Sequence, residues 1–217
     1  MDLKNLFGYE GKTVVVSGAY SGMGLAAARL LQELGANVYT ICRRNGRHSK
    51  LDFPVTGELY ADFGIKADLD ALADALPKTI DAMFLCHGIA LKADASNALE
   101  VQKVNFLGHK YLLEKTLPKI ADNGSVNIIA STGGFGWQDA FAACAAVVNA
   151  PSYEAALDWY AAHPDVIQNG YVFSKQCLCD SHTLPLSAGE TFQLFLLFVL
   201  QTDHMQKTVC LPLGLKF

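Results

Sequence analysis

An α/β fold, a doubly wound parallel sheet with helices on both faces, is what the order of this sequence predicts. Three observations lead to it. Apolar, β-branched runs alternate with helical patterns as far as about residue 131. A glycine-rich turn, Ser17-Gly18-Ala19-Tyr20-Ser21-Gly22-Met23-Gly24, joins the first such run to the first helical pattern. The 217 residues are 51% hydrophobic and 18% charged, enough apolar material for one domain with a substantial core spanning 1–217.

The alternation predicts strands at 13–18, 37–41, 58–61, 81–86 and 125–131, with helices at 23–34, 67–76 and 97–117. Thr13-Val14-Val15-Val16 opens the series and Leu25-Ala26-Ala27-Ala28-Arg29-Leu30-Leu31 gives the first helix, which Gly35 stops as a C-terminal glycine does. Residues 133–170 break the pattern. Gln138 to Ala150 is alanine-rich, and Pro151-Ser152 starts a fresh helix. Tyr153, Ala156, Leu157 and Tyr160 share one face of that helix, and His163-Pro164 ends it. This stretch reads as a helical insertion on a finished core.

The glycine turn carries the first chemical signal. Glycines let the backbone turn tightly and approach a pyrophosphate, and the free N–H groups of the following helix face the anion. The spacing is G-x-x-x-G-x-G, and a plain strand-to-helix turn would need one glycine rather than three. Gly18, Tyr20, Ser21, Gly22, Met23 and Gly24 are therefore candidate cofactor-binding residues.

Composition narrows the function classes. A net charge of −4 with no Lys/Arg cluster to offset it argues against a nucleic-acid surface. Six cysteines show no CxxC and no paired Cys/His spacing, so no metal site or disulfide framework is expected. Cys42 and Cys86 fall at predicted strand ends, where cysteine acts as a small hydrophobe. The N-terminus lacks the blocks of a secretory signal, which points to the cytoplasm. The longest apolar run, Leu194 to Leu200, is far short of the roughly 20 residues that span a bilayer, and reads as a buried segment, or an aggregation-prone one if left exposed.

Tyr171-Val172-Phe173-Ser174-Lys175 is the second signal. At positions i and i+4 of a helix, a lysine ammonium favours the phenolate, so the tyrosine can exchange a proton with a carbonyl or alcohol oxygen. Tyr111-Leu112-Leu113-Glu114-Lys115 repeats the pattern. Only Tyr171 follows the strand whose end carries Ser131, and reacting groups gather at the carboxyl ends of parallel strands. Tyr111 is expected to pack along its own helix.

Together Gly18/Gly22/Gly24, Asp62, Cys86-His87-Gly88, Asn105, Ser131 and Tyr171/Lys175 stand in an order that resembles the short-chain dehydrogenase/reductase family, over roughly residues 10 to 178. The resemblance implies a Rossmann-like fold and a catalytic set of Asn105, Ser131, Tyr171 and Lys175. Ser131 would hold the substrate oxygen and Tyr171 would be the general acid/base. Lys175 would bind the nicotinamide ribose and depress the Tyr171 pKa. Asn105 would anchor a water linking Lys175 to solvent. Asp62 would hydrogen-bond the adenine amino group, with Phe63, Cys86, His87 and Gly88 along the cofactor. Cys86 replaces the asparagine usual in the family, which removes an amide that ties neighbouring strands. His87 stands where a small residue is usual and reads as a packing substitution.

Cofactor choice follows from the second strand. An acid at its end would select NAD, but Cys42 is uncharged and Arg43 and Arg44 follow it. Guanidinium forks suit a phosphate, so NADP(H) is favoured over NAD(H); as a bland alternative both arginines belong to a solvated loop. The long interval from Ser131 to Tyr171 is similar to a bacterial subgroup that includes 3α-hydroxysteroid dehydrogenase/carbonyl reductase, as is Val104-Asn105-Phe106-Leu107-Gly108. That implies a small-molecule carbonyl or alcohol substrate of the hydroxysteroid or xenobiotic class. The insertion lies near the helix of Tyr171, a surface often used for dimers, so a homodimer with an altered or weakened interface is expected.

The resemblance stops after Gln176. Cys177 to Pro185 is a poor helix sequence, and Pro212-Leu213-Gly214 is not the Pro-Gly turn expected over the nicotinamide. Residues 177–217 are thus atypical or incomplete, as if out of frame, alternatively spliced or rearranged, with 192–200 left to supply one buried strand or helix. Two alternatives to an oxidoreductase follow. One is a nucleotide-binding pseudoenzyme lacking a closed substrate pocket; the other is an inactive product.

Overall fold

The computed structural model describes residues 7–44, 51–90, 95–180, 193–202 and 205–212. Five strands run parallel at its centre: β1 (Thr13–Ser17), β2 (Asn37–Cys42), β3 (Gly57–Tyr60), β4 (Ile80–Leu85) and β5 (Ile120–Ile129). With β6 (Gln193–Thr202) and β7 (Met205–Pro212) the sheet order is β3-β2-β1-β4-β5-β6-β7. The order reverses at β1, so the crevice outside the carboxyl ends of β1 and β4 is the topological switch point, where such sheets bind ligands. The predicted doubly wound Rossmann-like fold is what forms.

Helices α1 (Gly22–Glu33), α2 (Lys66–Ala75), α3 (Ala95–Gln102), α4 (Gly108–Thr116), α5 (Phe141–Val148), α6 (Tyr153–Ala162) and α7 (Gly170–Asp180) complete the described chain. Val14 and Val16 face one apolar cluster, with Ala28 and Leu31 of α1. Val15 faces the other, with Leu69, Leu112 and Phe173. This strict alternation is why a five-residue strand buried on both sides reads as an unbroken β-branched run.

Gly35 ends α1 as expected. At φ 87°, it donates its N–H to Gln32 and positions the Ala36 N–H on the Leu31 carbonyl, a paired closure that most side chains would resist. Ser152 caps α6 by accepting the Ala155 N–H at 3.0 Å, and Tyr153, Ala156 and Tyr160 form its buried face.

Three segments differ from the sequence expectation. The predicted single helix over 97–117 is interrupted by a π-helical turn at Lys103–Leu107, which contains Asn105. Strand β5 starts at Ile120, not 125, because the pairing jumps from Ile80↔Ile120 to Ala82↔Ser125. The excess residues form a bulge in which Asn123 takes φ 62°, a conformation asparagine tolerates.

The third difference is a correction. The helix carrying Tyr171 and Lys175 does not fail after Gln176 but runs to Asp180. Cys177, Leu178 and Asp180 are buried there, so tertiary packing overrides weak helix propensity. The apolar run 194–200 finds its place as β6, parallel to β5, and β7 returns antiparallel beside it. Residues 181–192, including Pro185, lie outside the described residues, as do Asn45–Arg47 of the basic stretch and Leu213-Gly214 of the C-terminal turn. Among the described residues no helix is long and apolar enough to cross a membrane.

Candidate active site

The switch point holds a cleft of about 310 Å³. Gly18, Tyr20, Ser21, Gly22 and Met23 form one wall, Cys42 and Arg43 the end of β2, Asp62 and Phe63 the segment after β3, and Cys86, His87 and Gly88 the segment after β4. Eleven predicted cofactor residues thus line one space: every one of those named except Cys42.

The glycine turn is built for close approach. Gly18 has φ 67°, and a Cβ there would sit 3.0 Å from the backbone of His87. A Cβ on Gly24 would lie 2.2 Å from the Gly18 carbonyl oxygen. Gly22 has φ 50° and open space where its side chain would be. The first turn of α1 carries no acidic residue, and Ser21 makes no side-chain cap. Its leading N–H groups are therefore directed at the cleft with no competing anion, and the residues present fit a dinucleotide pyrophosphate.

At the end of β2, Arg43 is exposed and lines the cleft, whereas Arg44 is not in its lining and places its guanidinium 5.4 Å from the Tyr60 ring centroid. Asp62 accepts the Gly64 N–H at 2.8 Å, and its own N–H is held by Asp68. It is a turn aspartate that also reaches the cleft.

The tie lost with the usual asparagine is replaced. Ser17 Oγ accepts the Cys86 N–H at 3.1 Å and lies 2.6 Å from His87 Nδ1, joining the ends of β1 and β4. His87 is more than a packing substitution: its ring stacks on His109 with centroids 4.1 Å apart and tilts against Phe63 at 3.4 Å. Burial holds both imidazoles well below the ordinary histidine range, His109 at about 3, so both are neutral. No sequence spacing announces this cluster, because its members are brought together only by sheet order.

Asn105 is fully buried, and its side chain takes both backbone groups of Ile89: Oδ1 accepts the Ile89 N–H at 2.8 Å and Nδ2 donates to the Ile89 carbonyl at 2.9 Å. Nδ2 also lies 3.3 Å from Ser174 Oγ, which donates to the Tyr171 carbonyl. The π-helical turn thereby fastens the chain after β4 to α7.

Beyond β5, Ser131 caps a short turn at Thr132–Gly134, accepting the Gly133 N–H at 3.1 Å. A Cβ added at Gly133 would lie 3.5 Å from Ser131 Oγ and 3.4 Å from Tyr171 Cε1, so the hydroxyl and the phenol ring edge flank the same glycine. Lys175 Nζ sits 5.8 Å from the Tyr171 ring centroid and donates to the Ile129 carbonyl at 2.7 Å. Burial pulls its pKa down to about 8. Ser131, Tyr171 and Lys175 are thus neighbours, set beside the cleft lining rather than within it. Tyr111 is elsewhere, donating to Asp70 at 2.7 Å and meeting the Tyr153 ring edge-on.

The 3-alpha-hydroxysteroid dehydrogenase from Pseudomonas sp. B-0831, solved with NADH, superposes with a TM-score of 0.63 at 21% identity, covering 85% of this chain and 70% of that one. A short-chain dehydrogenase/reductase from Burkholderia phymatum, solved with NAD, gives 0.61 at 19% identity over 88% of this chain and 66% of that one. This chain has the short-chain dehydrogenase/reductase fold. A coniferyl-alcohol dehydrogenase of Pseudomonas sp. (strain HR199 / DSM 7063) is 36% identical over 126 residues, 58% of this chain and 46% of that protein. The chain therefore spans less than half the length of the curated relative it matches. No protein-family profile matches the chain. The motif-based resemblance to short-chain dehydrogenases/reductases stands, and a nicotinamide cofactor is common to the two solved structures.

Proposed function

We propose that this chain is an NAD(P)-dependent oxidoreductase of the short-chain type, acting in the cytoplasm on a secondary alcohol or carbonyl compound of the hydroxysteroid or xenobiotic class. The observation that supports it is the meeting of Ser131 and Tyr171 around Gly133, with Lys175 Nζ 5.8 Å from the Tyr171 ring centroid, next to a glycine-walled cleft at the sheet's switch point.

The N–H groups of Gly22, Met23 and Gly24 would hold the pyrophosphate, Asp62 and Phe63 the adenine, and Arg43 a 2′-phosphate, which favours NADP(H). Hydride transfer is the chemistry such a cofactor supplies when bound. Ser131 donates a hydrogen bond to the substrate oxygen. Tyr171 gives its phenol proton to that oxygen in reduction and takes it back in oxidation. Lys175 stabilises the phenolate left behind. Asn105 keeps the segment after β4 aligned with α7, so that cleft and proton donor stay in register.

A second reading is a nucleotide-binding pseudoenzyme. It is favoured by the absence of Ser131, Tyr171 and Lys175 from the cleft lining. NADPH fluorescence titration and a carbonyl panel decide between them. Turnover that disappears in Tyr171→Phe while NADPH still binds supports the enzyme. Binding with no turnover on any carbonyl overturns it.

A further inference from the structure

Just outside the lining of the cleft, behind Tyr20, stands a charge that linear motifs do not reveal. Strand β3 pairs with β2 so that Glu58 is opposite Thr40 and Tyr60 is opposite Cys42. Tyr20, from the glycine turn, donates its phenol proton to Glu58 Oε2, and the Tyr60 phenol reaches the same oxygen at 3.0 Å. Tyr20 itself lines the cleft between the glycine turn and Cys42. The carboxylate also acts on the Cys42 thiol, which burial first and then the Glu58 charge push upward. An acid from the third strand thus lies beside the end of the second, where Cys42 brings no charge.

Its setting has a chemical consequence. A ribose 2′-hydroxyl can donate to a carboxylate, while a 2′-phosphate is repelled by one. An exposed glutamate would ordinarily swing away from an incoming anion. Two phenols on one oxygen hold this one in place, and the Arg44 guanidinium over the Tyr60 ring braces the second phenol. We propose that Glu58 is a cofactor-specificity residue, opposing the preference for a 2′-phosphate that Arg43 creates. This inference rests on reading the cleft as a nicotinamide dinucleotide site.

The test is fluorescence titration of the full chain with NADPH and, separately, NADH. Glu58→Gln keeps the shape and the acceptor oxygen but removes the charge. NADPH should bind about tenfold more tightly in that variant, with NADH changed by less than about twofold, and the gain should shrink at high salt. Tyr60→Phe removes one of the two anchors and should move selectivity in the same direction by a smaller factor; it carries the test if Glu58→Gln does not fold. Equal shifts for the two dinucleotides, or none, overturn the role of Glu58. Failure of the wild-type chain to bind either dinucleotide overturns the cleft reading, and this inference with it.

Discussion

Lys175→Met is the sharpest test of how this site is held, because stability alone reads it. The ammonium is buried, and its pKa drops from 10.5 to about 8. The unfolded chain therefore binds this proton more tightly than the folded one. Folding carries a penalty that is fully present below about pH 8 and is relieved as the pH climbs toward the unfolded value. At about 1.4 kcal/mol per unit, the full penalty is about 3 kcal/mol. Between about pH 6.5 and about pH 9.5, about 2 kcal/mol of it disappears. Methionine fills similar space without a charge and has no such pH dependence, although it leaves the Ile129 carbonyl without its donor, a loss of about 1–3 kcal/mol. Urea unfolding of both proteins, followed by the fluorescence of Trp137 and Trp159, gives the difference at each pH and cancels every other titrating group. The wild-type chain should gain about 2 kcal/mol on the variant over that range. A difference that stays flat would show that Lys175 is hydrated, and the buried placement of its ammonium would be refuted.

Gly24→Ala puts a methyl against the rigid Gly18 carbonyl, so the turn must shift; NADPH binding should fall by more than about tenfold and stability by about 2 kcal/mol, read by titration and urea melts. Asn105→Ala strands both backbone groups of Ile89 and should cost about 2–4 kcal/mol in the same melts. Arg43→Ala should weaken NADPH binding at low salt and leave NADH binding unchanged; equal loss for both would sink the 2′-phosphate role. Light scattering of a dilute solution should show no tetramer if the insertion weakens the dimer surface.

The switch-point cleft was legible in the sequence because its parts are local. Gly18, Gly22 and Gly24 stand on one turn, and each is required by a close approach or a left-handed backbone that few other residues permit. Tyr171 and Lys175 are one helical turn apart, and strand order alone separates them from the false pair Tyr111 and Lys115. The continuation of the helix to Asp180 was not legible: Cys177 to Asp180 is a weak helix former that persists because it is buried, and burial is a property of the partners.

The sequence by itself determined the alternating architecture, the position of the cleft and the identity of the proton-transfer candidates, since periodicity, glycine conformation and i,i+4 spacing are short-range constraints. Tertiary structure decided everything that depends on side chains far apart in the chain. The Ser17–His87 tie, the His87–His109 stack and the π-helical clamp of Asn105 on Ile89 all arise this way. So does the placement of Glu58 beside Cys42, because a carboxylate one strand away acts through space at distances that no linear motif encodes.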